Sequence, residues 1–105
     1  MRDFFMFYIY ILYSDTADKY YVGYSNDYER RLAEHNTSLN NTFTSKYRPW
    51  QIKVVFACGS AEASAMKIEK FIKKQKSRKL IEDLIAGREL TGVLAQLVRV
   101  PHVRD

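Results

Sequence analysis

A chain of 105 residues, 47% hydrophobic and 28% charged, has the composition of an ordinary globular domain and the length for one modest core, not two. Seventeen Lys and Arg against twelve Asp and Glu leave a formal charge of +5, which favours a polyanionic partner, most often nucleic acid. No apolar run approaches the ~20 residues that span a membrane, and a single cysteine, Cys58, excludes internal disulfides and a cysteine-rich metal site.

The opening Met1–Phe7 is hydrophobic, but Asp3, the tyrosines that follow and the lack of a small-residue cleavage site do not fit a signal peptide, so a cytoplasmic protein is expected. Phe7 to Leu12 and Lys19 to Gly23 have the β-branched and aromatic content of strands. The turn formers Ser14 to Asp18 join them, which predicts an antiparallel hairpin. Side chains alternate along a strand, so Phe5, Phe7, Ile9 and Ile11 form an apolar face suited to the core. Tyr8 and Tyr10 then share the opposite face, with Tyr20 or Tyr21 alongside. Gly23 at the strand end marks a bulge or a close backbone approach.

Ser25, Asn26 and Asp27 are capping residues, and Tyr28 to His35 reads as a short helix with Tyr28 and Leu32 apolar. Arg31 and His35 fall four apart on it, on one face. Asn36 to Lys46 is polar and reads as a long loop, either mobile or able to close on a ligand, ending in Tyr47-Arg48-Pro49. Trp50 to Ala57 alternates and then runs apolar, as a buried third strand would.

Ser60 offers an N-cap for an amphipathic helix to about Lys74, with Ala61, Ala65, Ile68, Phe71 and Ile72 on its apolar stripe. Glu69 lies at the border of that stripe, where it either points into a cleft or pairs with Lys73. Ser77 caps a further helix, Arg78 to Ala86, that Gly87 ends. Lys70, Lys73, Lys74, Lys76, Arg78 and Lys79 make this helix pair basic enough to track a phosphate backbone, the competing reading being a solvated surface. Residues 88–105 form a tail without a clear period, an added strand or coil, in which His102 carries no weight. Leu94 to Val100 can be encoded by a sequence that resembles the D-arm of a transfer-RNA gene. This leads to the hypothesis that the frame runs into such a gene and leaves 92–105 unselected for the protein's function, with a native extension as the alternative.

Taken together, the Tyr-Ile-Tyr strand, Tyr-Val-Gly on its partner, Arg31 with His35, and Glu69 resemble the GIY-YIG nuclease domain. The blocks YIYIL, YYVGYSND, ERRLAEHN, FTSKYRPW and EKFIKKQKSRKLIEDLI, in order over residues 7 to about 85, are most similar to the small single-domain UPF0213 group. Larger relatives carry the module in the excinuclease C subunit and in homing endonucleases. Tyr8 stands where the first motif's glycine would be, as is usual for the small group, and no Asn follows Asn41 to match an asparagine of some larger relatives.

The resemblance implies an α+β fold over residues 1–87, with a three-stranded antiparallel sheet flanked by helices. It implies a metal-dependent endonuclease that hydrolyses DNA phosphodiesters in repair or recombination, on damaged, branched or single-stranded forms. Tyr10, Tyr21, Arg31 and His35 are the catalytic residues it indicates, and Glu69 the ligand of Mg²⁺ or Mn²⁺. A phenol with a pKa near 10 is a poor base at neutral pH, but cationic neighbours favour the phenolate. Gly23 is expected to let backbone approach the phosphate. Lys46 and Arg48, with the basic helices, are expected to contact DNA, and a protein partner could supply specificity. A noncatalytic nucleic-acid-binding module with the same fold is the alternative.

Overall fold

The computed structural model describes residues 5–39 and 42–101. The N-terminal residues 1–4, part of the rejected signal-peptide segment, and His102 lie outside the described residues. Strands β1 (Tyr8–Ser14) and β2 (Lys19–Ser25) form the expected antiparallel hairpin, and β3 (Trp50–Ala57) pairs antiparallel with the other edge of β1. Helix α1 (Tyr28–Thr37) packs on one face of the sheet. Helices α2 (Glu62–Gln75) and α3 (Arg78–Ala86) pack on the other. No helix among the described residues is long and apolar enough to cross a membrane.

The core on the α2 and α3 side contains Ile9, Ile11, Val22, Val54, Phe56, Ala65, Ile68, Ile72 and Leu84, as the apolar face of β1 anticipates. The opposite face is not an open phenol surface. Tyr10, Leu12, Trp50 and Val55 are buried there beneath α1, with Tyr21, Tyr28 and Leu32 packed around them. A bulge between Ile11 and Leu12 on the β1–β3 ladder accounts for Trp50: it pairs Ile11 with Val54 but Leu12 with Ile52. Strict alternation would leave Trp50, Ile52, Val54 and Phe56 on one face. The extra residue moves Trp50 and Ile52 to the Tyr10 side, because one residue of slip exchanges the faces of a strand.

The helix ends largely follow local chemistry. The Asp27 carboxylate caps α1 by accepting from the Arg30 backbone N–H, and the Ser77 hydroxyl caps α3 by accepting from that of Leu80. Gly87, at φ 87°, closes α3. Helix α2 departs from expectation: Ala61 is its N-cap, without a side-chain bond, and is exposed instead of lying on the buried stripe.

Among the described residues the sheet has four strands where three were expected, in the order β2-β1-β3-β4. The added strand, β4 (Val98–Arg99), comes from the tail and pairs with Phe56 and Ala57 of β3. Ahead of it a 3₁₀ turn, Gly92–Gln96, seats Leu94, and Leu97 follows; both are buried in the same core as Ile9. The packed core therefore extends beyond residue 87. A read-through origin of residues 92–105 remains a proposal about the gene, on which the packing of residues 92–101 has no bearing. Leu97→Ala is expected to lower the unfolding free energy by ~2–5 kcal/mol. An unchanged urea midpoint would mean that this segment does not pack on the core in solution.

Candidate active site

Tyr10 sits at the centre of the sheet, directly across from Gly23 in the β1–β2 ladder. Its ring lies over that glycine: a Cβ at residue 23 would stand 2.5 Å from the Tyr10 Cζ. Besides any approach of backbone to phosphate, Gly23 thus has a role inside the fold, which is to make room for a tyrosine that is 1% exposed.

Helix α1 supplies the next two groups. Tyr28, edge-on to Tyr8 at 5.0 Å, and Leu32 hold the helix against the sheet. That contact turns Arg31 and His35 toward Tyr10. His35 is buried, with its Nε2 3.0 Å from the Tyr10 hydroxyl. Arg31 pairs with Glu34 at 2.5 Å and lies close enough to Tyr10 to act on its ionisation. Tyr21, from β2, packs edge-on to His35 with ring centroids 4.9 Å apart.

Glu69, from α2, completes the set. Its side chain is 20% exposed, pairs with Lys73 at 3.4 Å, and lines a cleft of about 470 Å³ with Tyr10, Tyr21, Gly23 and Arg31. Both sequence readings of Glu69 therefore hold. A second cleft, about 560 Å³, lies between α1 and the following loop; Tyr21 and Arg31 line both. No cluster of three or more His, Cys, Asp or Glu able to hold a metal occurs among the described residues. Glu62 lines the same cleft as Glu69, with Tyr24 donating to it at 2.9 Å. One or two carboxylates facing an open cleft suit a hard divalent ion that keeps waters and takes substrate phosphate as its remaining ligands.

Burial and charge compete at the centre. Arg31 favours the Tyr10 phenolate, as the sequence suggested, but desolvation is the larger effect and pushes the pKa up to about 12. Tyr10 therefore rests as a neutral phenol. Burial, followed by Arg31 and Arg48, depresses His35 to about 4 against the opposing pull of Glu34, so the imidazole is neutral at pH 7.

The long loop does not stand apart from the site. A 3₁₀ turn, Thr44–Lys46, places the Thr44 hydroxyl 2.8 Å from His35 Nδ1. Asn36 exchanges two hydrogen bonds with the Trp50 backbone, and the Trp50 indole donates to the Thr44 carbonyl. Sequence reasoning did not single out Thr44 and Asn36; their signal was their place in the blocks FTSKYRPW and ERRLAEHN, one ahead of the Trp50 strand and one in the last turn of the site helix.

The basic residues divide into two groups. Arg48 donates to the His35 and Ser38 carbonyls at the end of α1, so its guanidinium closes that helix. Arg78 is held by Asp18 and Glu82 and lies over the Tyr20 ring, and Lys79 pairs with Asp83. Lys73 divides its charge between Glu69 and the face of Tyr21. Lys46, Lys70, Lys74 and Lys76 are exposed and form no ion pair among the described residues.

Gly23→Ala is expected to force the Tyr10 ring aside, at a cost of ~1–3 kcal/mol, and to weaken the Tyr10–His35 bond; a crystal structure with Tyr10 unmoved would refute this. His35 adds a pH effect. With its folded pKa below the ordinary 6.5, the unfolded chain binds the extra proton between about 4 and 6.5. Stability contributed by neutral burial is thus complete above 6.5 and declines as pH falls through that window, by up to ~1.4 kcal/mol per pH unit. Urea unfolding at pH 7, 5.5 and 4.5 reads the slope, which His35→Gln should flatten.

A family model described as the GIY-YIG catalytic domain matches residues 6–82. The chain is 36% identical over 70 residues to a UPF0213 protein of Streptococcus pneumoniae, covering 66% of this chain and 68% of that one. A UPF0213 protein of Haloquadratum walsbyi is 33% identical over 79 residues, 72% of this chain and 86% of its own. The matched span runs from before β1 into α3 and includes Tyr10, Tyr21, Arg31, His35 and Glu69, the residues that the fold draws together: the chain belongs to the GIY-YIG family of nucleases.

Proposed function

We propose that the protein is a metal-dependent endonuclease that hydrolyses DNA phosphodiester bonds. The observation that carries this reading is the convergence of Tyr10, Tyr21, Arg31 and Glu69, from β1, β2, α1 and α2, around one open cleft, with His35 reaching Tyr10 from the adjoining cleft. Helix α1 by itself brings Arg31 and His35 to one face; Tyr10, Tyr21 and Glu69 join them only through the packing of the hairpin and α2.

The scissile phosphate binds against Arg31, whose planar guanidinium offers paired donors to two phosphate oxygens. Glu69 would hold a Mg²⁺ or Mn²⁺ ion, which when bound would supply Lewis-acid stabilisation of the leaving oxygen and of charge on phosphorus. Tyr10, with its oxygen beside His35 Nε2, holds the attacking water; as the water's proton passes to Tyr10 Oη, the phenol proton passes to Nε2. Phosphate beside Arg31 offsets the positive charge that helps keep His35 unprotonated, and so makes the imidazole a better acceptor when substrate is bound. Tyr21 packs against the imidazole edge and limits its motion.

Lys46, Lys70, Lys74 and Lys76 provide the sequence-independent grip on the backbone, and Lys73, Arg78, Lys79 and Arg48 add to it from their ion-paired or capping positions. Gly23 gives the strand a low wall at the cleft. The proposal includes a role in repair or recombination, a cytoplasmic location and a partner protein that contributes specificity.

Purified protein incubated with nicked, branched and single-stranded DNA in Mg²⁺ or Mn²⁺ is expected to cut in a metal-dependent way. Glu69→Ala and Arg31→Ala should each lower the rate on the order of 100-fold or more. Salt-sensitive binding without cutting, equal in wild type and Glu69→Ala, would replace this reading with the noncatalytic binding module.

A further inference from the structure

We propose that Thr44 is a positioning residue: its hydroxyl, accepting from His35 Nδ1–H, sets the imidazole tautomer and so leaves Nε2 free to accept the Tyr10 proton. The inference rests on the nuclease reading for its catalytic consequence. The tautomer itself is independent of that reading.

Three groups meet in a line. Tyr10 Oη is 3.0 Å from His35 Nε2, and His35 Nδ1 is 2.8 Å from Thr44 Oγ1. Tyr10, His35 and Thr44 are all at least nine-tenths buried, so each relies chiefly on its protein partner and a lost one is costly. A neutral imidazole has one donor and one acceptor nitrogen, while each hydroxyl can play either part. The chain of bonds therefore runs in one of two directions. The ends decide which.

At one end the Arg31 guanidinium, which has donors and no acceptor, acts on the Tyr10 oxygen. The phenol is the more acidic of the two hydroxyls that flank the ring and so the better donor, and its nearest acceptor is Nε2. At the other end Thr44 Oγ1 has a second hydroxyl, Thr42 Oγ1, at 3.3 Å, which can take the Thr44 proton. The Tyr10 end sets the direction and the Thr42 end is compatible with it: Tyr10 donates to Nε2, Nδ1–H donates to Thr44, and Thr44 can donate to Thr42. In this order Thr44 does for His35 what the orienting third group does for a catalytic base.

The backbone around Thr44 is built to hold the hydroxyl there. Its carbonyl accepts from the Trp50 indole at 2.7 Å and from the Tyr47 N–H, while Asn36 pins the Trp50 backbone to the end of the helix that carries His35. The distance from His35 to Thr44 is thus set by two fixed anchors and not by a free loop.

The test replaces Thr44 with its apolar isostere, Thr44→Val, and with Thr44→Ser, which keeps the hydroxyl. Long-range ¹H–¹⁵N correlation spectra at neutral pH read the tautomer directly, with His102→Gln used to assign the other histidine. Wild type and Thr44→Ser should show Nδ1 protonated. In Thr44→Val that N–H would be buried without an acceptor, so the ring should change to the Nε2–H form and donate to Tyr10. Amide fingerprint spectra establish that the variants are folded. On DNA that the wild type cuts, Thr44→Val should lower kcat on the order of 10-fold with KM within about twofold, and Thr44→Ser should restore it. Nε2–H in the wild type, or Nδ1–H retained in Thr44→Val, overturns the inference. A wild type that cuts no DNA while showing the expected tautomers would count against the nuclease reading and leave the assignment of Thr44 standing.

Discussion

The structure depends on one close contact, the ring of Tyr10 laid across Gly23. A tyrosine at the middle of a central strand needs space on the adjacent strand and a partner for its hydroxyl. Gly23 supplies the space, and His35 supplies the partner. With that ring in place, α1 closes the sheet face through Tyr28 and Leu32 and carries Arg31 to the cleft. Moving the ring would disturb the sheet, the helix and the site together.

Electrostatically the centre of the site is neutral at pH 7. Tyr10 is a neutral phenol because burial outweighs Arg31, and His35 is a neutral imidazole because burial and two arginines act in the same direction. Arg31 already pairs with Glu34, and in the proposed nuclease a bound phosphate would bring it further negative charge. Proton transfer in that nuclease would then be coupled to substrate binding.

Basic character is likewise less uniform than the composition suggests. Arg78, Lys79, Lys73 and Arg48 each satisfy an internal partner, which fixes their heads and stiffens the elements they join. Lys46, Lys70, Lys74 and Lys76 extend from the surface on long flexible stems, suited to following a backbone of variable shape. A net charge of +5 thus includes cations that serve the fold and cations that remain available to a polyanion.

Local chemistry was enough to read much of this protein from its sequence. The turn formers after Ser14, the Asp27 and Ser77 caps, Gly87 and the apolar spacing of α2 and α3 act within a few residues, and the corresponding elements formed where expected. Tyr10, Tyr21, Arg31, His35 and Glu69 could be named because their motifs stand in order along the chain. What only the tertiary structure decided was set by contacts between distant segments. The β1–β3 bulge sends Trp50 to the Tyr10 face, Thr44 returns from a polar loop to His35, and Leu94 and Leu97 bring the tail into the core. Periodicity carries no record of these outcomes, because each depends on which side chain meets which across the fold. The same reason explains why Tyr10 could be marked as a site residue from sequence, yet its burial and raised pKa became apparent only when Gly23, His35 and α1 were packed around it.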